Sequence, residues 1–483
     1  MKVNRVVLSI FFFAALTSAL YTSILNKPFW LDECISAWFT SGSLQELFAK
    51  LNKYPSQSGF YCTLLWIWRS VAGSSEFTAR VPSLFFIALA AVGVFKLSRR
   101  YAEIPSALTG TAAFLSCTFV IHSLSARPYA LGLASAVWST LWLFEAATLP
   151  GLSIYWLLSG AALISAIYAH YLFGGIVVVQ VAFALAKPGA LKRFIAMLLC
   201  VGAACLPLAS TLIRLAKMGH GLSFAQPLTF GALLSIAAHI PLQVGAALLL
   251  GVAEVLVLLS KRRTIKVFPR AEGLALLVWM IAPWIIFAAI SSTLGMAIVL
   301  PRYLLWTFPS YSIFAAGALQ AVPRQKVRLV LCWVALIACT VINLRRSWDW
   351  EDWKGAAAMI AKERQPSDPV LVYTGLVELG SETLVSDKSN WPYLLVPFEE
   401  YPVSEPLLPL PNAEDKSPTF TNVVMPQLKA VHHFIFAGAI WNPESKDNAV
   451  ARLIALTSPE GFVAKPVRLE GPVWIVRFDR ASN

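Results

Sequence analysis

The sequence predicts a mainly α-helical, polytopic membrane bundle followed by a small soluble α/β domain. Three observations carry that prediction. Hydrophobic residues make up 57% of the 483-residue chain and charged residues only 13%, whereas soluble domains run at roughly a quarter charged. The apolar residues cluster into runs near the ~20 residues that a helix needs to cross the hydrocarbon core. After about Arg345 the runs stop, and the composition becomes that of an ordinary soluble domain.

Taken in order, Lys2 and Arg5 precede an apolar run from Val6 to Leu25. The run is longer than the apolar part of a signal peptide, so it reads as an uncleaved first span with the N-terminus in the cytoplasm. Further spans are expected at Val81–Ser98, Ile104–Ile121, Tyr129–Leu149, Phe194–Ile213, Leu242–Ser260, Leu274–Ile290, Tyr303–Val322 and Leu329–Leu344. The stretch Tyr155–Leu185 is too long for one helix and is interrupted at His170-Tyr171 and Gly174-Gly175, so it reads as two short spans. Gly59–Gly73 is short and carries Arg69, which suits an interfacial helix better than a span.

That choice fixes the topology. It puts Arg99-Arg100, Lys187, Lys192, Arg193, the Lys261–Arg270 cluster, Arg324, Lys326 and Arg328 all in the cytoplasm, as the positive-inside rule requires. Glu145 and Glu254 then lie near cytoplasmic helix ends. The result is about eleven spans. Residues 1–346 form the membrane domain, with a long non-cytoplasmic loop over 26–80, and residues 347–483 form a soluble domain on that same outer side. The loop contains two stretches suited to the membrane surface, the amphipathic Glu33–Leu51 and the apolar Phe60–Val71. The soluble domain shows helical patterns at Trp353–Arg364 and Asn448–Leu456 and strand patterns at Val370–Tyr373, Phe434–Ala437 and Val473–Phe478. Ser386–Pro426, rich in Pro, Ser and Asn, reads as loop.

Composition also excludes some classes. The net charge of +13 is accounted for by topology-setting loops and forms no basic stripe interleaved with aromatics, so nucleic acid is not an expected partner. Of the seven cysteines, five sit in apolar runs as small core residues, and Cys34 and Cys62 share the outer loop, where a disulfide is the less favoured alternative. No CxxC pair, P-loop, GxGxxG or internal repeat is present.

The chemistry-bearing residues are few, and on this topology they share one level of the bilayer. Asp32 and Glu33 follow the exit of the first span, flanked by Phe29, Trp30 and Leu31. Asp32 can act as a general base tuned by partial desolvation; the plain structural alternative makes it the N-cap of a helix starting near Glu33. Arg127 and Tyr129 follow the third span, His170 and Tyr171 lie in the break between the fifth and sixth, and Arg302 and Tyr303 open the tenth. Carboxylate, arginines and tyrosines at one interface suit an anionic lipid headgroup. Against this, each Arg can simply snorkel to the interface, and His170 can be a satisfied structural histidine.

The order of these motifs resembles a known family. Phe29-Trp30-Leu31-Asp32-Glu33 is followed by Tyr54-Pro55-Ser56-Gln57-Ser58-Gly59-Phe60-Tyr61, and then by Gly73-Ser74-Ser75-Glu76-Phe77-Thr78-Ala79-Arg80-Val81-Pro82-Ser83. Ala126-Arg127-Pro128-Tyr129, His170-Tyr171-Leu172-Phe173-Gly174 and Pro301-Arg302-Tyr303-Leu304-Leu305 come later. Over roughly Met1–Arg346 this resembles the GT-C superfamily, specifically the bacterial protein-mannosyltransferase-like and aminoarabinose-transferase-like glycosyltransferases of the family 39 type. The resemblance implies a GT-C bundle in the bacterial inner membrane, with the C-terminal domain periplasmic or extracellular. It implies inverting transfer of a sugar from a polyprenyl phosphate to a glycolipid such as lipopolysaccharide, a polysaccharide or a protein. Asp32 would be the catalytic base, with Glu33 beside it, and Arg127, Tyr129, Arg302, Tyr303, His170, Tyr171 and Arg80 would line the donor site. The chain departs from the family at Ser125, where many relatives carry an acid, and at Tyr54-Pro55-Ser56, where His-Pro-Pro is familiar. With Ser125 in place no metal ligand is assigned; a divalent cation stays open as cofactor. Two other classes stand beside the enzyme. A lipid or sugar transporter would call for intramembrane charges or symmetric broken helices, and a non-catalytic assembly partner would keep the fold without the chemistry.

Overall fold

The computed structural model describes residues 24–149, 151–217, 268–294, 302–344, 350–365, 367–404, 406–412, 417–439, 443–468 and 471–481. The first span and the expected span Leu242–Ser260 lie outside these residues, apart from Ile24 and Leu25. The chain divides into two compact units. One comprises Met1–Asn26 with Leu44–Arg346, the other Lys27–Ser43 with Ser347–Asn483. The boundary near Arg346 is where the composition changes. The start of the outer loop, however, belongs to the C-terminal unit rather than to the membrane unit.

The membrane unit is a helical bundle. Among the described residues Glu76–Arg99, Pro188–Cys205 and Arg270–Ser292 are long and apolar enough to cross a membrane, with shorter apolar helices at Ile104–Leu115, Ile154–Ala169 and Tyr171–Ala186. A count of eleven spans is not established by these. Two expected spans are broken, each for a local reason. Phe194–Ile213 is split into Pro188–Cys205 and Leu208–Lys217, because Pro207 between them has no N–H to continue the ladder. Ile104–Ile121 stops at Leu115 and restarts as the short helix Thr118–His122. The break expected in Tyr155–Leu185 is present. Ile154–Ala169 ends, His170 is extended, and a 3-10 turn over Tyr171–Gly175 leads into Ile176–Ala186. The piece expected to lie at the interface is a single helix, Gly59–Ala72. Ser58 caps it by accepting from the Tyr61 N–H at 3.1 Å, and Gly73 at φ 95° ends it.

Small residues let these helices approach. A Cβ on Gly110 would lie 2.5 Å from the Ser312 carbonyl oxygen, so Ile104–Leu115 and Phe308–Ala321 touch through backbone. One end of the bundle is tied by charge. Arg100 pairs with Glu145 and, at 2.8 Å, with Glu272. Arg328 pairs with Glu103 at 2.7 Å.

The C-terminal unit is an α/β module around a five-stranded sheet in the order β2-β1-β3-β5-β4. The strands are β1 (Val370–Tyr373), β2 (Leu407–Pro409), β3 (His433–Ala439), β4 (Phe462–Arg468) and β5 (Val473–Arg480). β1 runs parallel to β2 and β3; β5 runs antiparallel to β3 and β4. Trp353, Ile360, Val370, Val372, Ile435 and Ile475 form the core on one face, and Leu371, Phe434, Phe436, Trp474 and Phe478 the core on the other. Alternation along β1 and β3 therefore feeds two apolar layers. Val370–Tyr373 is a strand over the expected residues, and the other two expected strands extend by a residue or two at their ends. β2 and β4 were not expected. β2 is three residues beside Pro406, and β4 is an edge strand interrupted at Pro466 by a bulge.

Candidate donor site and the helix that carries Asp32

The membrane unit gathers five other expected residues around His170. Its ring stacks on Tyr171 with centroids 4.9 Å apart, and lies 5.7 Å from Tyr129 and 5.3 Å from Tyr303. The Arg127 guanidinium lies 5.9 Å from the Tyr129 ring centroid and that of Arg302 5.5 Å from Tyr303. Two arginines thus flank one aromatic cluster from opposite ring partners. The local folding explains the convergence. The extended His170 interrupts two helices and projects its ring at the level where Tyr129 opens the helix Tyr129–Ala146. The Arg127 backbone is set by a tight turn in which its N–H donates to the Ser125 carbonyl at 2.7 Å, and that carbonyl also accepts from the buried Ser83 hydroxyl at 2.7 Å. Ser125 therefore shapes the Arg127 turn through its backbone.

Sequence reasoning quoted Gln57 in a motif without giving it a role. Its side-chain oxygen accepts from Arg127 at 2.9 Å, while the neighbouring Ser58 hydroxyl donates to the Tyr168 carbonyl at 2.7 Å. The string around Tyr54–Tyr61 thus holds the arginine. Arg80 is fully buried and donates to the carbonyls of Ile24 and Leu25 at 3.2 and 2.9 Å. In that position its charge is held by backbone carbonyls at the start of the outer loop.

Asp32 and Glu33 lie in the C-terminal unit, on the helix Leu31–Phe39. The expectation that Asp32 caps a helix starting near Glu33 does not describe the geometry. The helix begins at Leu31, with Asp32 already inside its first turn. The N–H of Leu31, first in the helix, donates instead to the Glu351 carboxylate at 2.8 Å. Glu351 is buried and also accepts from the Trp353 indole N–H at 3.0 Å. An anion against the first N–H of a helix gains both a charge-assisted bond and the dipole. Two further bonds fix the approach to this helix. The Phe29 N–H donates to the Tyr401 hydroxyl at 2.7 Å, and the Trp350 indole N–H to the Pro28 carbonyl at 2.6 Å. Glu33 is fully buried and Asp32 half-buried. Tyr393 packs on the same helix through Trp38 and Phe39, with centroids at 5.7 and 6.4 Å. None of Glu351, Tyr393 and Tyr401 was singled out from sequence. The acid-aromatic string Trp350-Glu351-Asp352-Trp353 was the one available signal.

Cys34 and Cys62 are both buried free thiols. Among the described residues no three His, Cys, Asp or Glu side chains gather into a metal-binding set.

No family model and no curated sequence matches the chain. Solved structures do. ArnT from Cupriavidus metallidurans superposes with a TM-score of 0.58 at 13% identity in its apo state, covering 99% of this chain and 98% of that one. The same protein bound to undecaprenyl phosphate matches with a TM-score of 0.58 at 14% identity, again over 99% of this chain and 98% of that one. An Archaeoglobus fulgidus oligosaccharyltransferase in complex with Zn and sulfate gives a TM-score of 0.51 at 12% identity, over 98% of this chain and 73% of that one. At such identities the likeness speaks for architecture, and it spans nearly the whole of both chains: the chain has the fold of ArnT.

Proposed function

We propose that this protein is an inverting glycosyltransferase that moves a sugar from a polyprenyl phosphate to a glycolipid, polysaccharide or protein acceptor at the outer face of the bacterial inner membrane. The observation that carries the reading is the pair of guanidiniums, Arg127 and Arg302, set on one aromatic cluster around His170 in a chain whose fold matches ArnT bound to undecaprenyl phosphate. Two arginines in a partly desolvated site favour a phosphate, and the aromatic faces suit a sugar or prenyl chain. The charge ties among Arg100, Glu145 and Glu272, and between Arg328 and Glu103, collect basic loop ends at one end of the bundle. That grouping supports a cytoplasmic assignment for this end by the positive-inside rule.

In the reaction the Asp32 carboxylate accepts the proton of the acceptor hydroxyl, whose oxygen attacks the anomeric carbon opposite the phosphate. The bond from that carbon to the phosphate oxygen breaks, and its electron pair leaves on the polyprenyl phosphate. Arg127 and Arg302 stabilise the charge that develops there. Glu33, buried in the same first turn, supports the helix start by accepting from the Trp30 N–H at 3.4 Å. The test is sugar transfer from radiolabelled polyprenyl-phosphate sugars in membranes carrying wild type or Asp32→Asn. Transfer by wild type that is lost in the variant at equal expression is the expected result. Equal transfer by both removes Asp32 as the base. No transfer by either, across several donors, replaces the enzyme with a non-catalytic partner of the same fold.

A further inference from the structure

The loop between the helices Leu44–Lys53 and Gly59–Ala72 is short and fixed at both ends. At its start the Tyr54 N–H donates to the Lys50 carbonyl at 2.8 Å, the Tyr54 side chain is buried, and Pro55 restricts the backbone that follows. At its end the Ser58 hydroxyl caps the second helix and donates to the carbonyl of Tyr168, just before His170 in the chain. Gln57 lies between these anchors. Its side-chain oxygen accepts from the Arg127 guanidinium at 2.9 Å. Its amide nitrogen donates to the Ser56 hydroxyl at 3.5 Å, a long bond that keeps the oxygen turned toward the arginine. The loop is thus a bracket, and its tip is one acceptor set against a buried guanidinium.

That acceptor is neutral. Elsewhere in the bundle the chain holds arginines with carboxylates, Arg100 with Glu145 and Glu272, and Arg328 with Glu103. A carboxylate grips a guanidinium strongly and offsets its charge. An amide oxygen engages the same donor fork and brings no charge with it. On the reading of Arg127 as a phosphate ligand, we propose that Gln57 is a positioning residue of the donor site, a neutral side chain that holds Arg127 toward the polyprenyl phosphate without neutralising it. The residue type matters because negative charge on the phosphate grows as the anomeric bond breaks. A further anion beside Arg127 would oppose that growth at short range, in a partly desolvated site where charges interact strongly.

The experiment measures binding of a short-chain polyprenyl phosphate to the full-length protein in nanodiscs of neutral lipid, with the thermal midpoint of each variant alongside. Gln57→Ala removes the hold and weakens binding about 2- to 10-fold. Gln57→Glu keeps an acceptor oxygen at the same reach but adds a negative charge, and weakens binding about 10- to 100-fold. A merely structural Gln57 gives the reverse order. Glutamate would then bind as well as wild type and better than alanine, because its bond to Arg127 is charge-assisted, and that order overturns the proposal. In the Arg127→Ala background Gln57→Ala adds no further loss, since it acts through the arginine; losses that simply add overturn the proposal as well. Should Gln57→Glu lower the thermal midpoint, the alanine variant and the double variant decide. Wild type that fails to bind polyprenyl phosphate sinks the donor reading and this assignment with it, whereas binding by wild type with the reversed order of variants sinks the assignment alone.

Discussion

Replacing Glu351 with alanine isolates what the C-terminal unit does for Asp32. In the wild type a buried carboxylate accepts from the Leu31 N–H at 2.8 Å and the Trp353 indole at 3.0 Å. Alanine strands both donors. Hydrogen bonds to a charged group are worth about 1.5–3 kcal/mol each, and part of that is returned because a buried charge is no longer carried. The net loss is about 2–4 kcal/mol, concentrated on the first turn of Leu31–Phe39. Asp32 is the next residue in that turn. A displacement near 1 Å costs about 10²-fold in rate, so kcat for transfer falls about a hundredfold in Glu351→Ala while the donor KM stays within about twofold. Glu351→Gln keeps one acceptor oxygen and loses roughly half as much in free energy. The assay pairs transfer kinetics with amide hydrogen exchange over residues 27–43, where protection of the first turn drops in step with kcat. Wild-type kcat in Glu351→Ala, or a lost kcat with unchanged exchange, would refute the reasoning.

Three more outcomes follow from particular contacts. Arg127→Ala removes a charge-assisted phosphate contact and raises the donor KM about 10- to 100-fold, and Arg127→Lys does not restore it, because the bond to Gln57 and a bidentate grip both need the guanidinium fork. Gly110→Ala forces a Cβ to within 2.5 Å of the Ser312 carbonyl, an overpacking that costs about 1–3 kcal/mol and lowers the thermal midpoint in detergent. Asp479 joins three strands by accepting from His433 at 2.9 Å, Arg477 at 2.6 Å and Lys465 at 2.8 Å. Burial alone would raise its carboxyl, but the bonds from Lys465, Arg477 and His433 outweigh that and hold it at about 2. A depressed carboxylate stabilises the fold above its unfolded value, and that contribution is lost as the pH falls from about 4 toward 2. Asp479→Asn therefore destabilises the protein by about 1–2 kcal/mol at neutral pH, and denaturation curves of the two proteins converge only as the pH approaches ~2.

Much of this was legible in the residues. Apolar run lengths gave the bundle, the break at His170 and the strand Val370–Tyr373, because each rests on a local period or a local interruption. The set around His170 was legible as motifs, although spacing alone could not say that Gln57 would hold Arg127. What escaped were features decided far along the chain. Pro207 was an available signal for the split at Leu206-Pro207, but apolar content masked it. β2 and β4 form because a sheet edge is there to receive them, and prolines hide them from propensity. The cap of Leu31–Phe39 comes from Glu351, 320 residues away, where local rules suggested Asp32. No pattern within the outer loop could name that partner.

That separation bears on how the fold comes into being. The helix bearing Asp32 leaves the ribosome early, yet the groups that seat it (Trp350, Glu351 and Tyr401) are translated only after the last helix of the bundle. At elongation speeds of about 5–20 residues per second, the Leu31 N–H waits on the order of half a minute for its acceptor. Throughout that interval the helix Leu31–Phe39 lacks the groups that seat it. On the proposed reaction, a polypeptide released before Glu351 would enter the membrane with the Leu31 N–H still lacking its acceptor.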